Sequence, residues 1–291
     1  ADPMRSGMDK LIGRFHRAGV ETIMITGDQS ATAYAIGKQL GLSGDRPLQV
    51  LESSKLDDME PELLAGLARN VHVFARVSPA HKLKIVQAFQ QAGKVVAMTG
   101  DGINDGPALR SADIGIAMGL GGTDVAREVS DIILDNDDIR AIRRAVVGGR
   151  LAYANLKSSF HYCLASNLSE IILLTAAATG TASSALISAQ ALGINVFSEI
   201  LPALSLLMEP APRKLTDLPA IDPEAPLFSF RDAGQIAREA LVMGGAAITA
   251  YGCGVLRHGP GMRSATLAHE SLTAARLLHA YNMRRNSRFS G

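Results

Sequence analysis

Residues 98–119 read MTGDGINDGPALRSADIGIAMG, and this stretch indicates the fold of the N-terminal half of the chain. The apolar run VVAM leads into it and is typical of a strand, and a polar, glycine-rich turn follows where that strand would end. Asp101, Asn104 and Asp105 crowd this turn. The fixed order of glycine, aspartate, asparagine and proline in TGDGINDGPAL favours a binding site over a turn with a purely structural role.

Neighbouring segments extend the pattern. VETIMITGD, HVFARV and IGIAMG read as strands, and helices are predicted over residues 29–40 and 79–92, with Ser78 as the N-cap of the second. Strands that alternate with helices predict an α/β fold with a doubly wound parallel sheet. Ligands of such sheets bind outside the carboxyl ends of the strands.

Polar groups follow two of the predicted strands at that edge. Thr26, Gly27 and Asp28 end one strand, Asp101 ends another, and Lys82 lies in the first turns of the helix between them. If the two strands are neighbours, these groups converge. Hydroxyl, amide and ammonium groups suit a phosphoryl group, and carboxylates suit Mg²⁺. Taken singly, the TGD turn or the lysine would be unremarkable surface features.

Asp105 has two alternative roles in this interpretation. Its carboxylate could act on the metal, or it could cap the helix that begins near Pro107.

Overall composition excludes some classes of protein. The net charge of +1 gives no bulk attraction to nucleic acid, so no nucleic-acid partner is expected. The chain has 2 cysteines, both in apolar stretches, which argues against a disulfide framework.

The C-terminal half is unevenly apolar. Ser158–Gly180 carries one formal charge, Glu170, and Leu186–Met208 carries one, Glu199. A helix needs about 20 apolar residues to cross a bilayer. We therefore predict a bundle of transmembrane helices; buried helices of a large soluble core are the alternative. The candidate spans, of which the last is the least apolar, are residues 158–180, 186–208, 236–257 and 265–283.

Basic residues set the expected orientation of these spans. They precede the first span and follow the second, whereas the short loop TASSA between the two is uncharged. Because positive residues concentrate on the cytoplasmic side, the N-terminal domain and the 209–235 loop are predicted to be cytoplasmic.

Oxygen-bearing side chains interrupt the first two spans. Asn167 and Glu170 share one helix face, and Asn195, Ser198 and Glu199 share another. Such groups would form a hard-cation site, or they would hydrogen-bond neighbouring helices together; spacing alone favours neither. Pro202, which follows Glu199, could free backbone carbonyls nearby.

These motifs together resemble the P-type cation-transporting ATPases, within the haloacid-dehalogenase-like superfamily. The resemblance is carried by DPMR (2–5), MITGD (24–28), ARVSPAHKLKIV (75–86), TGDGINDGPAL (99–109), ADIGIAMG (112–119) and GRLAYANLK (149–157). SNLSE and GINVFSEILPAL are similar to ion-site segments of the fifth and sixth membrane helices of the type II, calcium-pump-like branch. The resemblance implies residues 1–148 as the C-terminal part of the phosphorylation domain and 149–291 as stalk and transmembrane helices.

Roles for individual residues follow from the resemblance alone. It implies that Asp101 ligates Mg²⁺, that Asn104 hydrogen-bonds the phosphoryl group and that Asp105 supports the loop. It further implies that Thr26 and Gly27, at the start of the TGD turn that Asp28 completes, contact phosphoryl oxygens.

Further implied roles concern charge balance and ligands. Lys82 would balance the phosphoryl charge, and Asp2 and Arg5 would assist ATP binding. Asn167, Glu170, Asn195, Ser198 and Glu199 would bind the transported cation, with Ca²⁺ favoured, in a multi-pass protein of the bacterial plasma membrane.

The sequence also departs from the family pattern. It contains no DKTGT motif, the site of aspartyl phosphorylation, and Glu199 stands where these pumps usually have aspartate. Arg276 stands where Glu or Gln is frequent, so it would repel the cation or pair with Glu170 or Glu199.

We therefore expect the nucleotide domain, the first four membrane helices and the central strand of the sheet to lie upstream in the pump. The alternatives are a membrane-anchored phosphatase of the same superfamily and a non-catalytic fragment.

Overall fold

A computed structural model describes residues 7–57, 59–68, 70–179, 189–210 and 225–289. The described residues fall into two compact units that meet in the chain between Val147 and Gly148. The N-terminal unit contains strands and short helices, and the C-terminal unit consists of long helices.

The described residues of the N-terminal unit form six short strands: β1 (Met24–Ile25), β2 (Val50–Glu52), β3 (Val73–Ala75), β4 (Ala97–Gly100), β5 (Ile114–Met118) and β6 (Ile132–Leu134). All pairings are parallel. The four predicted strands are therefore present, and the α/β prediction is confirmed. Sequence reasoning missed β2 and β6, which are each 3 residues long.

The strands form two sheets and not the single sheet expected from the sequence. Their orders are β1-β3-β2 and β4-β5-β6. Within the described residues, β1 pairs only with β3 and β4 only with β5, so each of the two keeps one edge without a hydrogen-bonded neighbour. The condition that β1 and β4 be direct neighbours is thus not met.

In the described part of this unit, six α-helices accompany these strands: α1 (Met8–Arg17), α2 (Ser30–Leu40), α3 (Pro61–Ala68), α4 (Pro79–Gln91), α5 (Gly106–Ser111) and α6 (Asp124–Val129). The predicted cap of α4 is confirmed, because the Ser78 hydroxyl accepts a hydrogen bond from the His81 backbone N–H. Gly41 ends α2 with a φ of 67°, a left-handed conformation that glycine adopts without strain.

Helix α4 packs against both sheets. Ile85 and Phe89 lie in one apolar cluster with Phe74 of β3, whereas Val86 lies in another with Met98 of β4. Because adjacent residues of one helix enter both clusters, α4 supplies an apolar link between the sheets.

Four helices follow among the described residues: α7 (Arg140–Thr179), α8 (Ala189–Leu207), α9 (Phe230–His258) and α10 (Met262–Phe289). The described parts of all four predicted spans are helical, except that α8 ends at Leu207, one residue before the predicted end. In the part of the chain that the structure describes, one helix, α9, is long and apolar enough to cross a membrane. The predicted bundle of several spans is not confirmed, because parts of the first two segments lie outside the described residues and α10 is too polar.

Glycines of α9 permit close helix packing in this unit. A Cβ atom on Gly244 would lie 2.9 Å from Ile172 Cγ2 of α7, and one on Gly254 would lie 2.9 Å from Ser264 Cα of α10. Real side chains do not approach this closely, so α9 can pack against α7 and α10 in this way only with glycine at these positions.

Candidate functional site

The loop after β1 is held by its own polar groups. The Thr26 hydroxyl donates to Asp28 Oδ2 at 2.9 Å and accepts the Asp28 backbone N–H at 3.1 Å. The Asp28 carbonyl accepts the Arg76 N–H at 2.9 Å, which fixes the loop against the end of β3. Gly27 is exposed, and a Cβ there would meet nothing within 4 Å, so its backbone is open to a ligand.

Lys82 and Asp105 are in direct contact. Lys82 Nζ lies 2.5 Å from Asp105 Oδ1, and this ion pair joins the first turns of α4 to the turn after β4. The side chain of Asp105 is 8% exposed and that of Lys82 is 20% exposed. A carboxylate this buried is retained at low cost only with a charged or hydrogen-bonding partner, which Lys82 provides.

The turn after β4 is shaped around Asp105. Its second oxygen accepts the Gly102 N–H, and it makes no capping bond to α5, so the capping alternative is wrong. A Cβ on Gly100 would lie 2.6 Å from Asp105 Cβ. Glycine at 100 is therefore what allows the carboxylate to fold back under the strand end.

Asp101 and Asn104 have exposed side chains on the same turn. The backbone of Asp101 is anchored, because its carbonyl accepts the Thr123 N–H at 2.8 Å. An anchored backbone with an exposed carboxylate at a strand end fits an Mg²⁺ ligand, since Mg²⁺ prefers oxygen donors and keeps several waters.

The structure thus brings together only part of the predicted set. Lys82 contacts Asp105, whereas among the described residues no hydrogen bond or ion pair joins Thr26 or Asp28 to Asp101. The predicted ATP-assisting residues, Asp2 and Arg5, lie outside the described residues.

A second polar site lies between α7 and α8. Asn167 Nδ2 donates to Glu199 Oε1 at 2.5 Å and to the Cys163 carbonyl at 2.9 Å. Glu199 also lines an open cleft between these helices, beside Ser159 and Cys163. Two of the predicted cation ligands, from different helices, are therefore adjacent at an accessible position.

Glu170 has a different partner. Arg276 of α10 donates to Glu170 Oε2 at 2.8 Å and to the Ser166 carbonyl at 2.9 Å, and its side chain is 0% exposed. Of the alternatives left open for Arg276, the structure has the pairing with Glu170. A buried guanidinium beside this carboxylate compensates its negative charge.

Pro202 removes the helical donor of one backbone carbonyl of α8, and a side chain of α7 donates a hydrogen bond to that carbonyl instead. Proline has no N–H, so the Ser198 carbonyl, four residues earlier, lacks its helical donor. The Tyr162 hydroxyl, on a fully buried side chain of α7, donates to this carbonyl at 2.9 Å. Sequence reasoning missed Tyr162, because only the fold brings it to the proline. The side chain of Ser198 is buried, and that of Asn195 lies outside the described residues.

Comparison with protein families matches both units. Residues 1–113 match the haloacid dehalogenase-like hydrolase family, and residues 183–290 match the family described as cation transporting ATPase, C-terminus. These are the sequence regions that contain the Lys82–Asp105 pair and Arg276, respectively.

Individual relatives are similar over much of the chain. A calcium-transporting ATPase of Bacillus subtilis is 36% identical over 284 residues, which are 97% of this chain and 32% of that protein. Calcium-transporting ATPase 1 of Bacillus cereus is 43% identical over 209 residues, 72% of this chain and 23% of that protein.

The human calcium-transporting ATPase type 2C member 2 is 43% identical over 209 residues, 72% of this chain and 22% of that protein. The chain therefore spans about a third or less of the length of these curated relatives. Both family matches, together with the identity to the Bacillus subtilis protein over 97% of the chain, show that the chain belongs to the P-type cation-transporting ATPases.

Proposed function

We propose that this chain supplies two parts of an ATP-driven cation pump: the phosphate- and Mg²⁺-binding part of the phosphorylation domain, and the cation-binding transmembrane helices. The observation that carries the proposal is the buried Lys82–Asp105 ion pair at the strand end that bears Asp101. An ammonium group held in place beside exposed oxygen ligands, as Lys82 is here, is the arrangement that phosphoryl transfer requires.

In the N-terminal unit, several residues have separate roles in binding the phosphoryl group. Lys82, held by Asp105, offsets phosphoryl charge, and the Thr26–Gly27 loop presents a hydroxyl and an open backbone to the phosphoryl oxygens. Asn104 adds an amide donor. Asp101 would hold Mg²⁺, which supplies further charge neutralisation when bound. Phosphorylation itself would use a DKTGT aspartate of the pump, and ATP binding would involve Asp2 and Arg5.

The open edges of β1 and β4 support this division. Among the described residues, β1 and β4 each keep one edge without a hydrogen-bonded neighbour, and such an edge can accept a further parallel strand. We propose that the strand preceding the phosphorylated aspartate occupies this place, which would put the aspartate at the same strand-end edge as Asp28 and Asp101.

In the C-terminal unit, residues 149–291 would form stalk and membrane helices of a multi-pass protein of the bacterial plasma membrane. The cation would bind at Asn167 and Glu199, with further oxygens from Ser198 and Asn195. The names of the relatives favour Ca²⁺. Glu170, compensated by Arg276, would contribute less charge to this site than the sequence pattern implies.

Reconstitution of a complete pump that carries this segment tests the proposal. In sealed vesicles, ATP should drive Ca²⁺ accumulation, and the protein should form an acid-stable phosphoenzyme. Vesicles that take up no cation, together with a protein that forms no phosphoenzyme, would contradict it. Release of phosphate from small phosphoesters without cation dependence would instead favour the phosphatase alternative.

A further inference from the structure

A cluster of two histidines and a glutamate joins three helices of the C-terminal unit. His161 of α7, Glu239 of α9 and His279 of α10 each offer one ligand atom, and these atoms lie within 4.8 Å of one another. Glu239 Oε2 lies 2.6 Å from His161 Nε2 and 3.5 Å from His279 Nε2. One carboxylate oxygen therefore faces both imidazole nitrogens.

The histidines of this cluster are largely buried, and neighbouring side chains support its members. The side chains of His161 and His279 are 10% and 12% exposed. The Tyr162 ring stacks on the His279 ring with centroids 6.0 Å apart, and Gln235 donates to the other oxygen of Glu239 at 2.9 Å. Such supporting contacts orient ligands and are characteristic of built metal sites.

One nitrogen of the cluster is left without a hydrogen bond. His279 Nε2 is buried and has no hydrogen-bond partner among the described residues, although Glu239 is within ion-pair distance. A buried polar atom without a partner is costly, and a metal ion between the two histidines and the carboxylate would remove that cost.

We propose that His161, Glu239 and His279 form a binding site for a divalent transition metal ion, of which Zn²⁺ is the best match. Two imidazole nitrogens and one carboxylate oxygen are a ligand set for Zn²⁺, with a fourth position for water. In tetrahedral geometry the ligand atoms would be about 3.3 Å apart, which small side-chain rotations reach from the observed positions.

The chemistry of this site differs from that of the Asn167–Glu199 site. Ca²⁺ and Mg²⁺ prefer oxygen ligands, whereas imidazole selects Zn²⁺ and its neighbours. The site is also placed differently, since its members lie within about one turn of residues 158, 236 and 283, the predicted cytoplasmic ends of their spans. The inference therefore does not depend on the proposed transport function.

A bound metal would clamp α7, α9 and α10 at this end of the unit. Each helix supplies one ligand, so release of the metal would leave the three helices joined there only by weaker contacts. A metal that binds the folded state alone raises its stability in proportion to the logarithm of metal concentration.

Metal binding to the full 291-residue chain, purified without a histidine tag and placed in lipid nanodiscs, tests the assignment. After removal of metals with a chelator, the protein should retain one Zn²⁺ ion per chain on dialysis, in the presence of excess Ca²⁺ and Mg²⁺. His161→Gln, Glu239→Gln and His279→Gln should each weaken Zn²⁺ binding by more than about 100-fold, because each removes a direct ligand.

His258→Gln is the matched control, because His258 is an exposed histidine at the end of α9. It should leave Zn²⁺ stoichiometry and affinity unchanged. Zn²⁺ should also raise the melting temperature of the wild-type chain and of His258→Gln, but not that of Glu239→Gln, whose helical content is checked by circular dichroism. A wild-type chain that retains no Zn²⁺, or equal retention in all four variants, would overturn the assignment.

Discussion

At the scale of single residues, the pairing of Arg276 with Glu170 changes the expected cation site. Glu170 has a buried arginine beside it, whereas Glu199 has the amide of Asn167 and no ion pair with any residue in the described part of the chain. Because a fixed positive charge disfavours a cation nearby, the two glutamates should not be equivalent.

We expect Glu199→Gln to raise the cation concentration required for half-maximal activation of the complete pump much more than Glu170→Gln does. Glu199→Gln would remove a proposed charged ligand of the cation, whereas Glu170 already has a counter-ion. Phosphoenzyme formation from ATP across a Ca²⁺ titration measures this, and phosphorylation by inorganic phosphate, which needs no transported ion, serves as the control. Equal shifts in both variants would mean that both carboxylates bind the cation.

Loss of the Glu170 charge should instead affect stability. Glu170→Gln leaves the Arg276 guanidinium buried without its counter-ion, and breaking such a pair costs about 3–5 kcal/mol. The double variant Glu170→Gln/Arg276→Gln should recover most of this loss. Unfolding of the chain in nanodiscs provides the measurement, with Glu270→Gln, an exposed site on α10, as the control. A single variant as stable as the control would show that the pair is dispensable.

The Mg²⁺ position makes a separate prediction. In the complete pump, Asp101→Asn should reduce phosphoenzyme turnover by about 10²-fold or more, because it would remove the charge of the proposed Mg²⁺ ligand. Asp113→Asn should be much milder, since the Asp113 carboxylate accepts the Val96 N–H at 2.7 Å, and an amide oxygen can accept the same hydrogen bond. Similar losses in both variants, at unchanged Mg²⁺ dependence, would point to general destabilisation.

At the scale of elements, α9 is the helix whose packing depends most visibly on glycine. Gly244 faces Ile172 and the Ser169 carbonyl of α7, whereas Gly245, its neighbour, faces open space. Substitutions at the two positions therefore distinguish the effect of packing against α7 from the effect of intrinsic helix propensity.

We expect Gly244→Leu to separate α9 from α7 and to cost about 1–3 kcal/mol or more through overpacking. Gly245→Leu should be neutral or slightly stabilising, because leucine favours helix more than glycine does. Thermal unfolding followed by helical circular dichroism compares the two variants. The packing argument fails if Gly244→Leu melts at the same temperature as Gly245→Leu.

At the scale of the whole molecule, the 291 residues contain the proposed phosphate-binding residues but not the DKTGT motif. We therefore expect this chain to lack the aspartate that is phosphorylated. The purified chain should neither hydrolyse ATP nor acquire acid-stable ³²P, because no side chain in it is the expected nucleophile. A complete pump that contains the segment is the positive control. Acid-stable phosphoenzyme on the isolated chain would show that another aspartate, such as Asp28 or Asp101, accepts the phosphoryl group.

The sequence by itself determined the motif-bearing elements, because their signals are local. The cap at Ser78, the end of α2 at Gly41 and the strand before Asp101 depend on neighbours in the chain, and the structure confirms each of them. The resemblance to P-type ATPases likewise depends on short ordered motifs, and the comparisons confirm it.

Only the tertiary structure decided which distant groups meet. In the described residues the strands form two sheets, and β1 and β4 each lack a hydrogen-bonded neighbour on one side. No single segment of the sequence reveals this arrangement. The contacts of Glu170 with Arg276 and of Tyr162 with the Ser198 carbonyl join residues that are 106 and 36 positions apart. Partners at such separations are chosen by helix packing and by the cost of leaving a buried charge or carbonyl unpaired, and neither is encoded in local spacing.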